Sequence, residues 1–452
     1  MPMKPLLIKD NMSKPKEDFS LIPSLTAKIA DKTLERLEQE GIFVFPEMVH
    51  DSDDLTREQV ILQSVNESYR AGNVMGFLGC GDERLIIGSR FDEEHHDFFM
   101  RYLLEKTLDL PNIVKAVTDT DLENPFLNYL LFLFPSYLKE AMRKGPYKIY
   151  VRNLYNDENI KGTIDITRHI KLNTPFTGNI AYSQRDFSYD NDLMELIRHT
   201  IEFIKRKPFG NTLLAKVKDE AALVISATPS YALFARQKII EANRKSAIRH
   251  AYFREYRALQ YLCILILEHQ KHQIGTGTRP IYGILFDGAW LWEEYVNKLI
   301  NEGCDNYYHP MNKSGTGGQL LFGGHGKIYP DFISKNVSQR IIADAKYKPF
   351  DNIGNKDYLQ VLAYMFRFDA KVGYYLYPEA SGGTDITLWL NRGTTYENNV
   401  SRSNEIRVVK HGLKIPINVQ DYAEFTYRMQ ESEKTFVESF KGNLQSEIRM
   451  PS

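Results

Sequence analysis

The chain has 452 residues, enough for two or three domains with proper cores. Its composition, 43% hydrophobic and 25% charged, is that of an ordinary globular protein, and a formal net charge of -1 excludes a surface that is basic throughout. Three cysteines, Cys80, Cys263 and Cys304, stand far apart; they argue for a reducing compartment and against a disulfide framework, a zinc site or a four-thiolate iron–sulfur cluster. Residues 1–20 lack the apolar core and small-residue cleavage site of a secretory signal. The most apolar stretch, 126–138, is interrupted by Asn128 and Pro135 and is too short to span a bilayer. A cytoplasmic protein without a membrane contact is expected.

In chain order, residues 1–20 read as a polar tail, 24–40 as a charged helical segment and 42–45 as a short strand. Residues 72–91 read as a hairpin turning at Gly79-Cys80-Gly81-Asp82, where glycine supplies positive φ. Helices are predicted over 92–108 and 125–144, the second apolar around most of its circumference and so a core helix. A β-like segment at 147–155 leads into Lys161-Gly162-Thr163-Ile164-Asp165, and Asp190-Asn191-Asp192 reads as the start of an amphipathic helix over 193–205. Residues 221–272 are helical nearly throughout, with breaks near Pro229 and around 244–249. The breaker cluster at 275–280 marks the main domain boundary. Beyond it come a helix at 289–301, a glycine-rich connection at 315–326, and two strands joined by a short polar turn within 328–348. A helix from Asp357 follows, then strands at 371–377, 386–390 and 406–419, the last bent at Lys410-His411-Gly412. The expected architecture is α/β (α+β overall), with a mixed domain at 1–215, a helical connecting segment at 216–278 and a mixed sheet flanked by helices at 279–452.

The chemistry concentrates in residues 328–368. In a strand over 340–348, Ile342, Asp344, Lys346 and Lys348 share one face, and Ile341, Ala343, Ala345 and Tyr347 share the other, apolar one. Asp331, in the preceding strand, brings a second carboxylate towards Asp344. Two carboxylates and a backbone carbonyl, that of Ala345, suffice on the protein side for Mg²⁺, with Mn²⁺ a plausible substitute. Such an ion polarises a phosphoryl oxygen and acidifies a bound water, beside which Lys346 would position the nucleophile or stabilise phosphate charge. In the next helix Gln360 and Tyr364, four apart, share a face, while Leu359, Leu362 and Phe366 read as the packing stripe. Trp292-Glu293-Glu294-Tyr295 offers a further carboxylate, Glu293. Taken alone, these residues fit equally a salt bridge on an exposed strand and a helix with a partly exposed Gln and Tyr.

Pro330-Asp331, Asp344-x-Lys346 and Gln360-x-x-x-Tyr364 resemble the motifs of the PD-(D/E)xK nuclease superfamily, the last pair its branch containing RecB and CRISPR-associated relatives. From about residue 70 onward the chain resembles more specifically the McrC family, nuclease subunits of McrBC-type modification-dependent restriction systems. The matching stretches are residues 143–150 leading into 161–165, then 187–191, 256–267, 283–287 and 291–296. The resemblance implies a restriction-endonuclease-like C-terminal domain cleaving double-stranded DNA with Mg²⁺. Asp331 and Asp344 would be metal ligands, Lys346 would act on the attacking water, and Glu293, Gln360 and Tyr364 would support them. It also implies a partner, an McrB-like AAA+ GTPase, on which the N-terminal part docks. In agreement, no nucleotide loop is present. Gly323-Gly324-His325-Gly326-Lys327 lacks the Ser/Thr after its lysine and precedes a strand, so its glycines suit a flexible connection or a close approach to a DNA backbone. Candidate phosphate contacts are Lys348, and Arg402, Arg407, Lys410 and Lys414 on the C-terminal hairpin, which also fit a solvated, lysine-guarded edge. Two other readings stay open: a stand-alone RecB-like repair nuclease, and a non-catalytic adaptor of an AAA+ motor.

Overall fold

The hairpin expected at 72–91 forms: Val74–Cys80 pairs antiparallel with Glu83–Gly88 around Gly81, whose φ of 61° costs a glycine nothing. A computed structural model of the chain describes residues 5–40, 42–45, 58–93, 96–107, 125–246, 248, 251–268, 281–302, 306–310, 317–380, 385–392 and 401–448. The 275–280 breaker cluster and Cys304 lie outside the described residues. The chain divides into two compact units, Met1–Val114 with Thr278–Ser452, and Lys115–Gly277.

The first unit is therefore discontinuous: the chain divides at 114/115 and at 277/278, the latter beside the expected 278/279, with no division at 215/216. The reason is the strand Ile281–Asp287, which lies between Val74–Cys80 (antiparallel) and Ile42–Phe45 (parallel) in a five-stranded sheet. Residues 1–20 are likewise not a polar tail: Leu6–Lys9 pairs parallel with the Glu83–Gly88 strand and buries Leu6 and Ile8 in the core of this sheet. The charged segment at 24–40 forms two helices, Pro23–Ile29 and Leu34–Glu40, separated where Asp31 takes φ 56°. The helix expected from 92 begins only at Phe98. Asp92 stays outside it and accepts the Phe99 and Met100 amides (2.6 and 3.3 Å), satisfying two donors of its first turn.

Asp287 ends its strand and caps the next helix, Gly288–Asn301, accepting from the Ala289 and Trp290 amides. That helix carries the chain to a six-stranded mixed sheet. Its order is Tyr307–Tyr308, Phe332–Ser334, Ile341–Ala345, Val372–Glu379, Ser401–Lys414, Ile386–Arg392. The three strands Ile341–Ala345, Val372–Glu379 and Ser401–Lys414 run parallel and the outer pairings are antiparallel. Every residue of Val372–Glu379 is buried, as a strand covered on both faces requires. The final long strand keeps continuous register with Val372–Glu379 through Lys410-His411-Gly412, so no bulge interrupts this pairing where the bend was expected.

Helix Asn355–Arg367 covers one face, packing Val361, Tyr364 and Met365 against Ile342, Tyr375 and Tyr377. The stripe expected on Leu359, Leu362 and Phe366 holds only at Leu362, half-buried against this cluster; Leu359 and Phe366 are 71% and 89% exposed. The helix comes so close at Gly373 that a Cβ there would lie 2.7 Å from Met365 Sδ, which selects the turn of the helix that faces the sheet. The other face takes Gly288–Asn301, whose Trp292 Nε1 donates to the Leu376 carbonyl (2.9 Å), and Tyr422–Ile448, a helix that had no counterpart in the sequence reading. Tyr347 ties this sheet to the first one: its hydroxyl meets Ser89 Oγ at 2.6 Å and its ring packs on Phe91.

The second unit joins helices, chiefly Pro125–Met142, Asp192–Lys205, Lys218–Ala227, Arg236–Lys245 and Arg254–Glu268, to a small antiparallel sheet of Ile149–Asp157, Ile180–Ser188 and Thr163–Ile164. Asn191 is the cap expected at 190–192, its side chain accepting the Met194 amide at 3.2 Å. The helical breaks fall where Pro229 and residues 244–249 placed them. Among the described residues no helix is long and apolar enough to cross a membrane.

Candidate active site

The candidate site lies where the Phe332–Ser334 and Ile341–Ala345 strands open out. Phe332 pairs with Ala343, so Asp331 lies just before its strand and reaches the end of the neighbouring one. There its Oδ2 accepts the Ala345 amide at 2.8 Å. Asp344, buried, projects from the last turns of the ladder, and Lys346 follows directly after the strand, anchored by its amide to the Leu376 carbonyl (2.9 Å). Lys346 Nζ lies 2.7 Å from Asp344 Oδ2 and donates to Gln360 Oε1 at 2.9 Å. Gln360 Nε2 in turn donates to the Tyr364 hydroxyl at 2.7 Å. The structure therefore joins Asp344 to Lys346 by an ion pair and Lys346 to Gln360 and Tyr364 by successive hydrogen bonds, with Asp331 bound to the intervening backbone.

Desolvation, followed by the charges of Glu293 and Asp344, pushes the Asp331 carboxyl well above the usual carboxylate range; Lys346 and the Ala345 amide only partly oppose this. Burial works against the charge on Lys346, but Asp344 and Asp331 outweigh it and hold the ammonium above the ordinary lysine range. Glu293, buried on the helix Gly288–Asn301, is close enough to crowd Asp331 electrostatically. Asp331, Asp344 and Glu293 thus crowd together near the Lys346 ammonium.

Two residues in this region escaped the sequence reading. His309 Nδ1 lies 3.0 Å from the Asp331 carbonyl, its ring stacks on Phe332, and its Nε2 lies 3.4 Å from Glu294 and 3.9 Å from Glu293. Asp357 accepts from Lys348 at 2.9 Å and lies 3.7 Å from Lys346, while also accepting the Gly354 amide at the start of its helix. A carboxylate three residues into a helix is a visible capping signal; nothing local marks His309.

The DNA-contact candidates divide. Lys348 is half-exposed but paired with Asp357, and Lys414 is exposed. Lys410 is corrected: it is 5% exposed, its Nζ donates to the Ile353 and Phe350 carbonyls (3.0 and 3.3 Å), and it lies over the Phe350 ring. It clamps the loop before the Gln360 helix and cannot meet a phosphate from there. Arg402 is exposed and Arg407 packs on Trp389.

Among the described residues, no three His, Cys, Asp or Glu side chains are gathered closely enough to hold a metal ion by themselves. The donor set that is present, Asp331, Asp344 and the Ala345 carbonyl, suits a hard cation that retains water ligands, and the surplus of buried negative charge favours such a cation.

A mixed sheet sandwiched by helices, with acidic and lysine side chains where two of its strands open out, defines an α/β protein. The chain belongs to the family of the McrBC 5-methylcytosine restriction system component, which it matches over residues 69–378. No curated protein matches its sequence. Among solved structures, the half-complex of Thermococcus gammatolerans McrB AAA+ hexamers with bound McrC aligns with a TM-score of 0.50 at 14% identity, covering 97% of this chain and 100% of that one. The cryo-EM structure of the T. gammatolerans McrBC complex aligns with a TM-score of 0.33 at 13% identity, over 68% and 90% of the two chains. The first likeness establishes a common fold.

Proposed function

We propose that this chain is the DNA-cutting subunit of a McrBC-like restriction system, an endodeoxyribonuclease that requires Mg²⁺ and stimulates an AAA+ GTPase partner. The observation that carries the reading is the Lys346–Asp344 pair at 2.7 Å, set beside Asp331 and held by Gln360. A surface salt bridge needs no such scaffold; here the lysine is only 15% exposed and is fixed from three sides. Asp331, Asp344 and the Ala345 carbonyl would hold Mg²⁺, which when bound supplies an acidified water and polarises the phosphodiester. Lys346, kept protonated, offers a donor to the attacking water or to a non-bridging phosphate oxygen. Gln360 fixes the position of that ammonium, and Tyr364 fixes the Gln360 amide so that its oxygen faces the lysine.

The partner reading is supported by the second unit. Its small sheet leaves Tyr150 and Phe187, directly opposed with rings 4.9 Å apart, exposed on the strand face that also carries exposed Leu154. Exposed apolar side chains gathered on one sheet face are a common mark of a protein-docking surface, and these lie within the N-terminal part to which the family resemblance assigns the motor contact.

The test is cleavage of plasmid DNA by the purified chain, with and without Mg²⁺, the AAA+ partner and GTP. Cleavage should require Mg²⁺ and should fall by about a hundred-fold or more in both Asp344→Ala and Lys346→Ala; parental activity in both would remove the site assignment. GTP turnover by the partner should rise on adding the chain, and indifference would overturn the partner reading.

A further inference from the structure

The hairpin of Gln319–Phe322 and His325–Ile328 has no part in the cutting chemistry described above. It sits in the stretch expected to be a glycine-rich connection, and its register sets Leu320 opposite Lys327 and Phe322 opposite His325. Directly opposed residues of an antiparallel pair share a face. One face therefore carries Leu320, Phe322, His325 and Lys327. All four are exposed, Phe322 by 67%.

The tip is Gly323-Gly324, with Gly324 at φ 82°, and a Cβ on either would meet nothing within 4 Å. The tip thus stands clear of the other described residues. At its base, Arg367 Nε donates to the Leu320 carbonyl at 2.6 Å, and Arg367 ends the helix that carries Gln360 and Tyr364. At its other end the chain passes from Ile328 to Asp331 within a single short step. The ribbon is fastened to the candidate site on both sides. Residues 317–328 contain no carboxylate, while Lys327, His325 and Arg367 supply positive or ionisable nitrogen.

We propose that this face grips duplex DNA next to the bond to be cut: Lys327 and Arg367 contact phosphates, and Phe322 packs as an apolar wedge against sugar and base edges. A two-stranded ribbon has the dimensions to enter a DNA groove. Exposed apolar side chains serve as wedges between base steps, and cations beside them supply the salt-dependent affinity. Only two apolar side chains occur on the face, too few for a stable protein interface, and the charge is of one sign. The location beside a scissile bond rests on the nuclease reading; the binding chemistry of the face does not.

The experiment measures binding of a fluorescent DNA duplex by the full chain carrying Asp344→Asn, over a range of KCl concentrations. Adding Phe322→Ala should weaken binding about ten-fold, Phe322→Tyr should restore it, and Lys327→Ala should lower the salt slope by about one. Equal affinity and slope in all variants, or no binding by the parent, would overturn the proposal. So would variants that keep DNA binding but lose an AAA+ partner, which would reassign the face to protein. Cleavage is read separately in chains with Asp344 intact. Hairpin-dependent binding without cleavage leaves the wedge standing and removes the nuclease; cleavage with hairpin-independent binding does the reverse.

Discussion

Lys346 illustrates how a buried charge is retained. Its ammonium is stabilised by Asp344 at 2.7 Å and by Asp331, while Asp331 is itself raised by desolvation and by its acidic neighbours. Removing the lysine leaves carboxylates crowded without their counter-ion, a change that costs about 3–5 kcal/mol where pairs are well buried. Lys346→Ala should therefore lower cleavage by about a hundred-fold or more, and its thermal midpoint should rise more on adding Mg²⁺ than that of the parent. An identical Mg²⁺ response in both, read by differential scanning calorimetry, would exclude a cation at these carboxylates. Tyr364 acts at one remove. Tyr364→Phe deletes the hydroxyl that accepts Gln360 Nε2 at 2.7 Å, a bond worth about 1 kcal/mol net. It should reduce kcat about ten-fold or less with KM for DNA unchanged; a rise in KM with constant kcat would mark Tyr364 as a binding residue.

At the level of elements, close backbone approach is what local sequence conceals. Gly76 takes φ 149°, and a Cβ there would fall 2.1 Å from the Ile284 carbonyl oxygen in the neighbouring strand. Gly76→Ala must push apart the two central strands of the first sheet, and it should lower the unfolding free energy by about 2–4 kcal/mol. An exposed-glycine control, Gly323→Ala, should change it by less than about 0.5 kcal/mol; equal urea midpoints for the two variants would contradict this account. The hairpin containing Gly76 was legible because its two runs are adjacent and bracket a glycine turn. The pairing of Val74–Cys80 with Ile281–Asp287 was not, because an apolar strand names its face and never its distant partner. The same distinction applies to the candidate site. Asp331, Asp344, Lys346, Gln360 and Tyr364 could be gathered from one stretch of sequence, since a hairpin and the next helix bring them together. His309 joins them only through the edge strand Tyr307–Tyr308, and Lys410 reads as an exposed cation until its carbonyl partners are seen. The phase of the Asn355–Arg367 helix was misread for a related reason: Leu359 and Phe366 are apolar and correctly spaced, but Gly373 admits the Met365 side of the helix instead.

For the whole molecule, the discontinuous first unit sets what can fold alone. Residues 279–452 hold every proposed site residue, yet their strand Ile281–Asp287 has both its neighbours, Val74–Cys80 and Ile42–Phe45, in the N-terminal part. A 279–452 fragment should therefore expose that apolar strand and fail to unfold cooperatively, whereas 115–277, a compact unit of continuous chain, should fold; a sharp thermal transition from the first fragment would refute this. The continuous unit also carries an acid-sensitive group. His199 is buried beside Tyr231, and desolvation, with the charges of Arg236 and Arg198, lowers its pKa to about 4. In the unfolded chain the imidazole takes its proton near the ordinary value of about 6.5. Between these values the unfolded state binds the extra proton, so the stability His199 confers is complete above about 6.5 and is lost as pH falls towards 4. Glu195, raised by burial on the same helix, pulls in the opposite direction, so the informative quantity is a difference between proteins. His199→Leu keeps an apolar partner for Tyr231 and removes the titration. The thermal midpoint of the parent should fall relative to that of the variant by several degrees between pH 6.5 and 4, and parallel pH profiles would show that His199 does not remain neutral in the folded unit.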